Sequence, residues 1–254
     1  MEKMKTILEV CTDSVESAIA AKKGGADRIE LCSHLIIGGT TPDVHMYRII
    51  KRETGIAARV LIRPRFGDFC YSSYEKELIL EQIRTFSSEG AEGVVIGALL
   101  PDGNLDLEFM NDCVETAGKC KITCHRAFDM CRDASKTLEE LISMKIDTVL
   151  TSGQQASALK GTDNLKSLCE QSKGRINILA GAGVSDTVIP SLYENGVRQF
   201  HLSAKRELES RMEYRNERVN MGLEGLSEYI IWQTDEEKVR NARRVLDNCS
   251  KARE

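Results

Sequence analysis

Two textures alternate along this chain. Short, nearly continuous apolar runs such as Val94-Val95-Ile96 and Ile176-Asn177-Ile178-Leu179 are followed by longer stretches in which apolar residues recur every three or four positions. The first texture fits strands buried on both faces of a parallel sheet, and the second fits helices with one apolar stripe. The pair recurs eight times. The strand segments end at Leu8-Glu9-Val10-Cys11, Ile29-Glu30-Leu31-Cys32, Ile62-Arg63-Pro64-Arg65, Ile96-Gly97-Ala98-Leu99, Cys124-His125-Arg126-Ala127, Leu150-Thr151-Ser152-Gly153, Leu179-Ala180-Gly181-Ala182 and Phe200-His201-Leu202-Ser203. Eight β/α units in 254 residues predict an α/β fold, a (β/α)8 TIM barrel spanning 1–254 as one domain. A doubly wound sheet shows the same alternation, but eight units fit the length with no element left over. The ends of all eight strands of such a barrel meet on one face, which is where chemistry is sought.

Helix boundaries follow from capping residues. Asp13-Ser14-Val15-Glu16 has the form of a capping box, with Asp13 accepting from the first turn and Glu16 reaching back; Gly24-Gly25 ends that helix. Thr41-Pro42 predicts an N-cap followed by proline in the first turn, and Ser185 and Asp235 predict the caps of helices seven and eight. Apolar stripes fall on Leu78, Ile79, Ile83 and Phe86, on Phe109, Met110, Cys113, Val114 and Ala117, and on Leu138, Leu141 and Ile142. One segment breaks the rhythm. Residues 205–234 form a long loop rich in Arg, Glu and Asn between the eighth strand and its helix, read as a lid, a contact with another subunit, or a solvated excursion.

Composition narrows the partners. With 35 Lys plus Arg against 39 Asp plus Glu and no block of like charge, a nucleic-acid partner is not expected. No window reaches the length of a membrane span, and Met1-Glu2-Lys3-Met4-Lys5 lacks the apolar stretch of a signal peptide, so we expect a cytoplasmic protein with no membrane partner. The nine cysteines are then expected to be mostly thiols. A homo-oligomer is expected.

The strand ends carry the candidate chemistry. Cys11 and Cys32 each follow a glutamate by two residues on consecutive strands, and two thiols in register there suit a soft ion such as Cu(I); the alternative is that they are small core fillers. If Val10 and Leu31 point to the helices, Glu9, Cys11, Glu30 and Cys32 all point inward. A carboxylate inside a barrel needs a partner, for which Arg63, Arg65 and Arg126 are the candidates. In an enzyme, Glu9, Glu30, His125 and Asp129 would be catalytic, His125 moving a proton and Asp129 orienting it or binding a substrate hydroxyl. Arg63, Arg65 and Arg126 would hold an anion, with Ser152, Gly181, Gly183 and Ser203 supplying hydroxyls and backbone amides around a phosphate.

Several of these windows together resemble the copper homeostasis protein CutC family over nearly the full length. The matching stretches are Leu8-Glu9-Val10-Cys11, Gly24-Gly25-Ala26-Asp27-Arg28-Ile29-Glu30-Leu31-Cys32, Ile62-Arg63-Pro64-Arg65, Gly67-Asp68-Phe69, His125-Arg126-Ala127-Phe128-Asp129, Leu150-Thr151-Ser152-Gly153, and Arg215-Asn216 with Met221-Gly222. The resemblance implies a cytoplasmic (β/α)8 barrel, described for the family as irregular in closure, that is associated with copper tolerance and binds Cu(I). The family's proposed metal ligands fall on Cys11 and Cys32. Two departures stand out: Cys124 replaces an aromatic residue before His125, and Ile36-Ile37 replace a more polar stretch before Gly38-Gly39.

Two functions therefore compete. One is a copper homeostasis protein holding Cu(I) on Cys11 and Cys32. The other is a TIM-barrel enzyme of isomerase, lyase or aldolase type acting on a small phosphorylated or carboxylated metabolite, which would give the arginines, His125 and Asp129 a use.

Overall fold

The computed structural model describes residues 6–216, 218–222 and 225–252. The expectation for Met1–Lys5 lies outside them. Strands β1 (Ile7–Thr12), β2 (Arg28–Leu31), β3 (Ala57–Leu61), β4 (Gly93–Ile96), β5 (Lys121–Cys124), β6 (Thr148–Thr151), β7 (Asn177–Ala180) and β8 (Gln199–Leu202) pair in parallel as a closed barrel in sequence order. Helices α1 (Val15–Lys23), α2 (Val44–Thr54), α3 (Ser73–Ser88), α4 (Leu107–Ala117), α5 (Ala134–Ser143), α6 (Thr162–Ser172), α7 (Ile189–Glu194) and α8 (Glu236–Lys251) alternate with them. β8 pairs with β1 over four positions, Ile7↔Gln199 to Val10↔Leu202, so the irregular closure expected from the resemblance is not found.

Strand alternation sorts the apolar residues into two layers. Leu8, Val10, Ile29, Leu31, Val60, Val94 and Ile96 pack outward against the helices, while Cys11, Cys32, Leu61 and Val95 form a small inner cluster that Leu35 covers. Deeper in the barrel the filling is polar. Arg59 is buried and donates to Thr123 Oγ1 at 2.6 Å, Thr148 Oγ1 at 2.9 Å and Asp147 Oδ2 at 2.6 Å. Thr123 of β5, Thr148 of β6 and Asp147 just ahead of β6 surround this guanidinium with oxygen acceptors, which offsets the cost of burying it.

Several helix starts differ from expectation. The N-cap of α1 is Ser14, which accepts from Ser17 N, whereas Asp13 accepts from Leu35 N and so ties down the turn after β2. Asp43 rather than Thr41 caps α2, because Thr41 Oγ1 receives the Arg63 amide and donates to Gln82. The reciprocal capping box is Ser72 with Glu75 on α3, whose Leu78 is exposed. Ser185 lies in a turn ahead of α7, while Asp235 caps α8 as expected.

The segment after β8 is more ordered than a loop. β9 (Lys205–Glu209) and β10 (Ile230–Thr234) form an antiparallel ribbon, anchored by Thr234 N to Ser17 Oγ at 3.1 Å. Gly222, Leu226, Ile230 and Trp232 of this insertion face Asp13, Leu35 and Ile36 across a groove of about 300 Å³. The insertion therefore sits beside the mouth of the barrel at β1 and β2.

Candidate functional site

The inward face expected for β1 and β2 is found: Glu9, Cys11, Glu30 and Cys32 are buried, and Val10 and Leu31 belong to the outer layer. The register expected for the thiols is not. Cys11 lies opposite Glu30, because tilted barrel strands are staggered, and Cys32 falls just beyond the end of β2. The thiols nevertheless meet, with Sγ to Sγ at 3.8 Å. Cys11 Sγ donates to Glu30 Oε2 at 3.2 Å, and Cys32 Sγ to the Thr12 carbonyl at 3.6 Å. The hydrogen bond with Cys32, burial and the nearby Glu30 charge push the Cys11 thiol well above its ordinary value.

Arg28 and His201 solve the problem of a carboxylate inside the barrel. Glu9 Oε2 pairs with Arg28 Nε, Arg28 Nη2 donates to Gln199 Oε1 at 3.2 Å, and Glu9 Oε1 meets His201 Nδ1 at 2.8 Å. Burial opposes ionisation of Glu9, but Arg28 and His201 outweigh it and hold its carboxyl at about 2. Burial raises Glu30 despite the pull of His201, and His201 is raised by Glu30 and Glu9 against its own burial. His201 Nε2 lies 3.7 Å from Glu30 Oε2. One ligand atom each from Cys11, Glu30 and His201 lies within 4.8 Å of the other two.

Arg63, Arg65 and Arg126, the expected partners of the inner glutamates, are engaged elsewhere. Arg63 donates to the carbonyls of Gly39 at 3.0 Å and Gly67 at 2.9 Å and lies over the Phe69 ring. Arg65 pairs with Glu75 and Asp68 in the next loop. Arg126 pairs with Asp129 at 2.7 Å. They fasten the loops of the barrel mouth because each follows its strand end, above the level of Glu9.

Asp129 does not orient His125. Its carboxylate accepts from Thr151 Oγ1 at 2.5 Å, from Ser152 Oγ at 3.0 Å and from the amides of Ser152 and Gln154, so the turn after β6 closes on it and those amides are not free for a ligand. His125 Nδ1 accepts from Ala127 N at 3.1 Å, which leaves the neutral ring's proton on Nε2, a buried atom without a partner among the described residues. Burial, reinforced by Arg63, lowers His125 to about 3. That is far from a value suited to proton transfer near neutrality. Cys124 packs outward and is pushed up to about 12 by burial, so it adds nothing to the inner thiols. Gly183 and Ser203 line a groove of about 400 Å³ with Ser185 and Lys238, whereas Gly181 lies deeper, where an added Cβ would meet Leu150 Cδ1 at 2.6 Å. The expected phosphate cradle is thus divided between two levels.

With this geometry in view, sequence relatives are informative. The profile of the CutC family matches residues 6–206. The chain belongs to the CutC family. Among this CutC-family protein's relatives, the human copper homeostasis protein cutC homolog is 43% identical over 95% of this chain and 89% of its own length. A CutC family protein of Bacteroides fragilis is 45% identical over 95% of each. A solved CutC structure from Streptococcus agalactiae superposes with a TM-score of 0.75 at 26% identity, covering 78% of this chain and 98% of that one. Thiamine phosphate pyrophosphorylase from Pyrococcus furiosus, at TM-score 0.56 and 17% identity over 96% of each chain, shares the barrel fold alone.

Three residues of this CutC-family site are assigned no role by the sequence: Arg28 and Gln199, which begin their strands, and His201, which lies within the strand-end segment of β8. Alternation offered a signal for Arg28, which shares the inward parity of Glu30, and for His201, which shares that of Ser203. Arg28 stands opposite Glu9 only through the β1–β2 register, and His201 reaches Glu9 only when β8 closes onto β1.

Gly39 shapes the thiol pocket. At φ +85°, a Cβ on it would lie 2.8 Å from Leu61 Cδ2 and 3.3 Å from Cys32 Cβ. Gly39→Ala is expected to destabilise the fold by more than about 1 kcal/mol through backbone strain and to displace Cys32. A thermal melt together with a thiol-accessibility assay checks this; an unchanged melt would show that the loop relaxes freely.

Proposed function

We propose that this chain is a cytoplasmic copper homeostasis protein that binds Cu(I) through Cys11 and Cys32. The approach of two buried, reduced thiols to 3.8 Å carries this reading. The two sulfurs are close enough that modest side-chain rotation would bring both onto one ion. Thiolates are soft donors suited to Cu(I). Leu35 covers the pair, which favours exclusion of water and oxidants. All nine cysteines are free, in keeping with a reducing compartment. The names of the human and bacterial relatives support the copper assignment. Exposed Met212, Tyr214 and Met221 on the insertion support contact with a second copy.

The enzyme reading receives less support. Arg63, Arg65 and Arg126 spend hydrogen bonds on protein groups, and burial holds His125 far below its ordinary value. The deciding measurement is Cu(I) affinity by chelator competition, anaerobic and reducing, on the wild type and on Cys11→Ser/Cys32→Ser. We expect one-to-one binding that weakens in the variant by more than the roughly 10–100-fold typical of losing a mere supporting residue. Affinity unchanged by the substitutions sinks the site.

A further inference from the structure

We propose that Cys11, Glu30 and His201 form a second metal site, selective for a borderline divalent transition ion of the Zn2+ class and sharing only Cys11 with the Cu(I) pair. The inference does not depend on the copper reading. It rests on donor chemistry: one sulfur, one carboxylate oxygen and one imidazole nitrogen lie mutually within 4.8 Å. Such a mixed set suits zinc and its neighbours, whereas Cu(I) favours the thiolate pair alone.

The support behind the ligands points the same way. His201 meets Glu9 Oε1 through Nδ1 at 2.8 Å, and its Nε2 faces Glu30. A ligating histidine is commonly held in this manner, its other ring N–H donated to a carboxylate that fixes tautomer and orientation. Glu9 is fixed in turn by Arg28, and Arg28 by Gln199. Three successive layers thus aim one imidazole nitrogen at the space beside Cys11.

Charge also selects the ion. The Glu9–Arg28 pair is neutral, so Cys11 thiolate and Glu30 carboxylate balance a doubly charged ion and leave a monovalent one one charge short. As the ion binds, the proton now bridging Cys11 Sγ to Glu30 Oε2 at 3.2 Å leaves to solvent, and so does the proton on Nε2 wherever the His201 ring is charged. Three protein ligands leave a fourth position for water, as in metal sites that act on substrates.

The test titrates the metal-free full-length protein with Co2+, a spectroscopic stand-in for zinc, under anaerobic conditions with a phosphine reductant. One equivalent is expected to give a near-ultraviolet thiolate-to-cobalt band and visible tetrahedral bands, both removed by Zn2+. Cys32→Ser should retain the spectrum; His201→Gln and Glu30→Gln should lose it; Glu9→Gln should weaken binding by roughly 10–100-fold. Thermal melts confirm that each variant is folded. Absence of a thiolate band in the wild type overturns the proposal whatever the variants do, and so does a band lost in Cys32→Ser but kept in His201→Gln. Cu(I) affinity measured in His201→Gln reports separately on the thiol pair and is expected to be unchanged.

Discussion

Arg28→Met is expected to cost about 3–5 kcal/mol, the penalty for leaving one member of a buried ion pair without its partner. Both side chains are buried, and Arg28 is the cation paired with Glu9 Oε2. Met keeps most of the packing volume, so the loss is electrostatic rather than a cavity. At roughly 2–4 °C per kcal/mol for a chain near this size, the melting temperature should fall by about 6–20 °C. The decisive control is the double variant Glu9→Gln/Arg28→Met, which removes both charges. It should recover a large part of the loss, because a neutral buried pair carries no uncompensated ion. A double variant as unstable as Arg28→Met alone would show that packing, not charge, makes this position matter.

An acid limb beginning near pH 6.5 is the second large effect, and His125 is its main source. Its native value of about 3 against an ordinary 6.5 means that the unfolded chain binds more protons throughout that interval, so stability falls as pH drops through it. Between pH 6.5 and pH 4 the loss is on the order of 3 kcal/mol, at about 1.4 kcal/mol per pH unit. Glu9 adds a lower limb: held at about 2 against 4.5, it contributes stability that is present above pH 4.5 and lost between there and about 2. The raised groups run the other way. His201 contributes stability that is full below 6.5 and fades as pH rises through its native value, and the raised Glu30 likewise favours the acidic side of its own titration. Urea unfolding of wild type and His125→Gln across pH 4–7 separates these contributions. The two stabilities should converge as pH falls; parallel curves would rule out His125 as the source.

The proposed copper and zinc-class sites would make different demands on one thiol. Cys11 stands between Cys32 at 3.8 Å and Glu30 at 3.2 Å, so an ion drawn to one side competes with an ion drawn to the other. On these two proposals, the ion held by Cys11 would depend on the relative supply of a soft monovalent and a borderline divalent metal.

Strand and helix periods are local properties of the chain, so the eight-fold β/α rhythm, the two-sided burial of the strands and the inward parity of Glu9, Cys11, Glu30 and Cys32 were all legible along the sequence. It also carried the family through motifs at strand ends. The register that sets Cys11 opposite Glu30, and the closure of β8 onto β1 that brings His201 to Glu9, arise only on folding. The tertiary structure also assigned Arg28 to Glu9, and it committed Arg63, Arg65, Arg126 and Asp129 to the loops around the mouth. Pairing between strands depends on barrel stagger and on contacts between residues far apart in the chain, and neither leaves a periodic trace in the sequence.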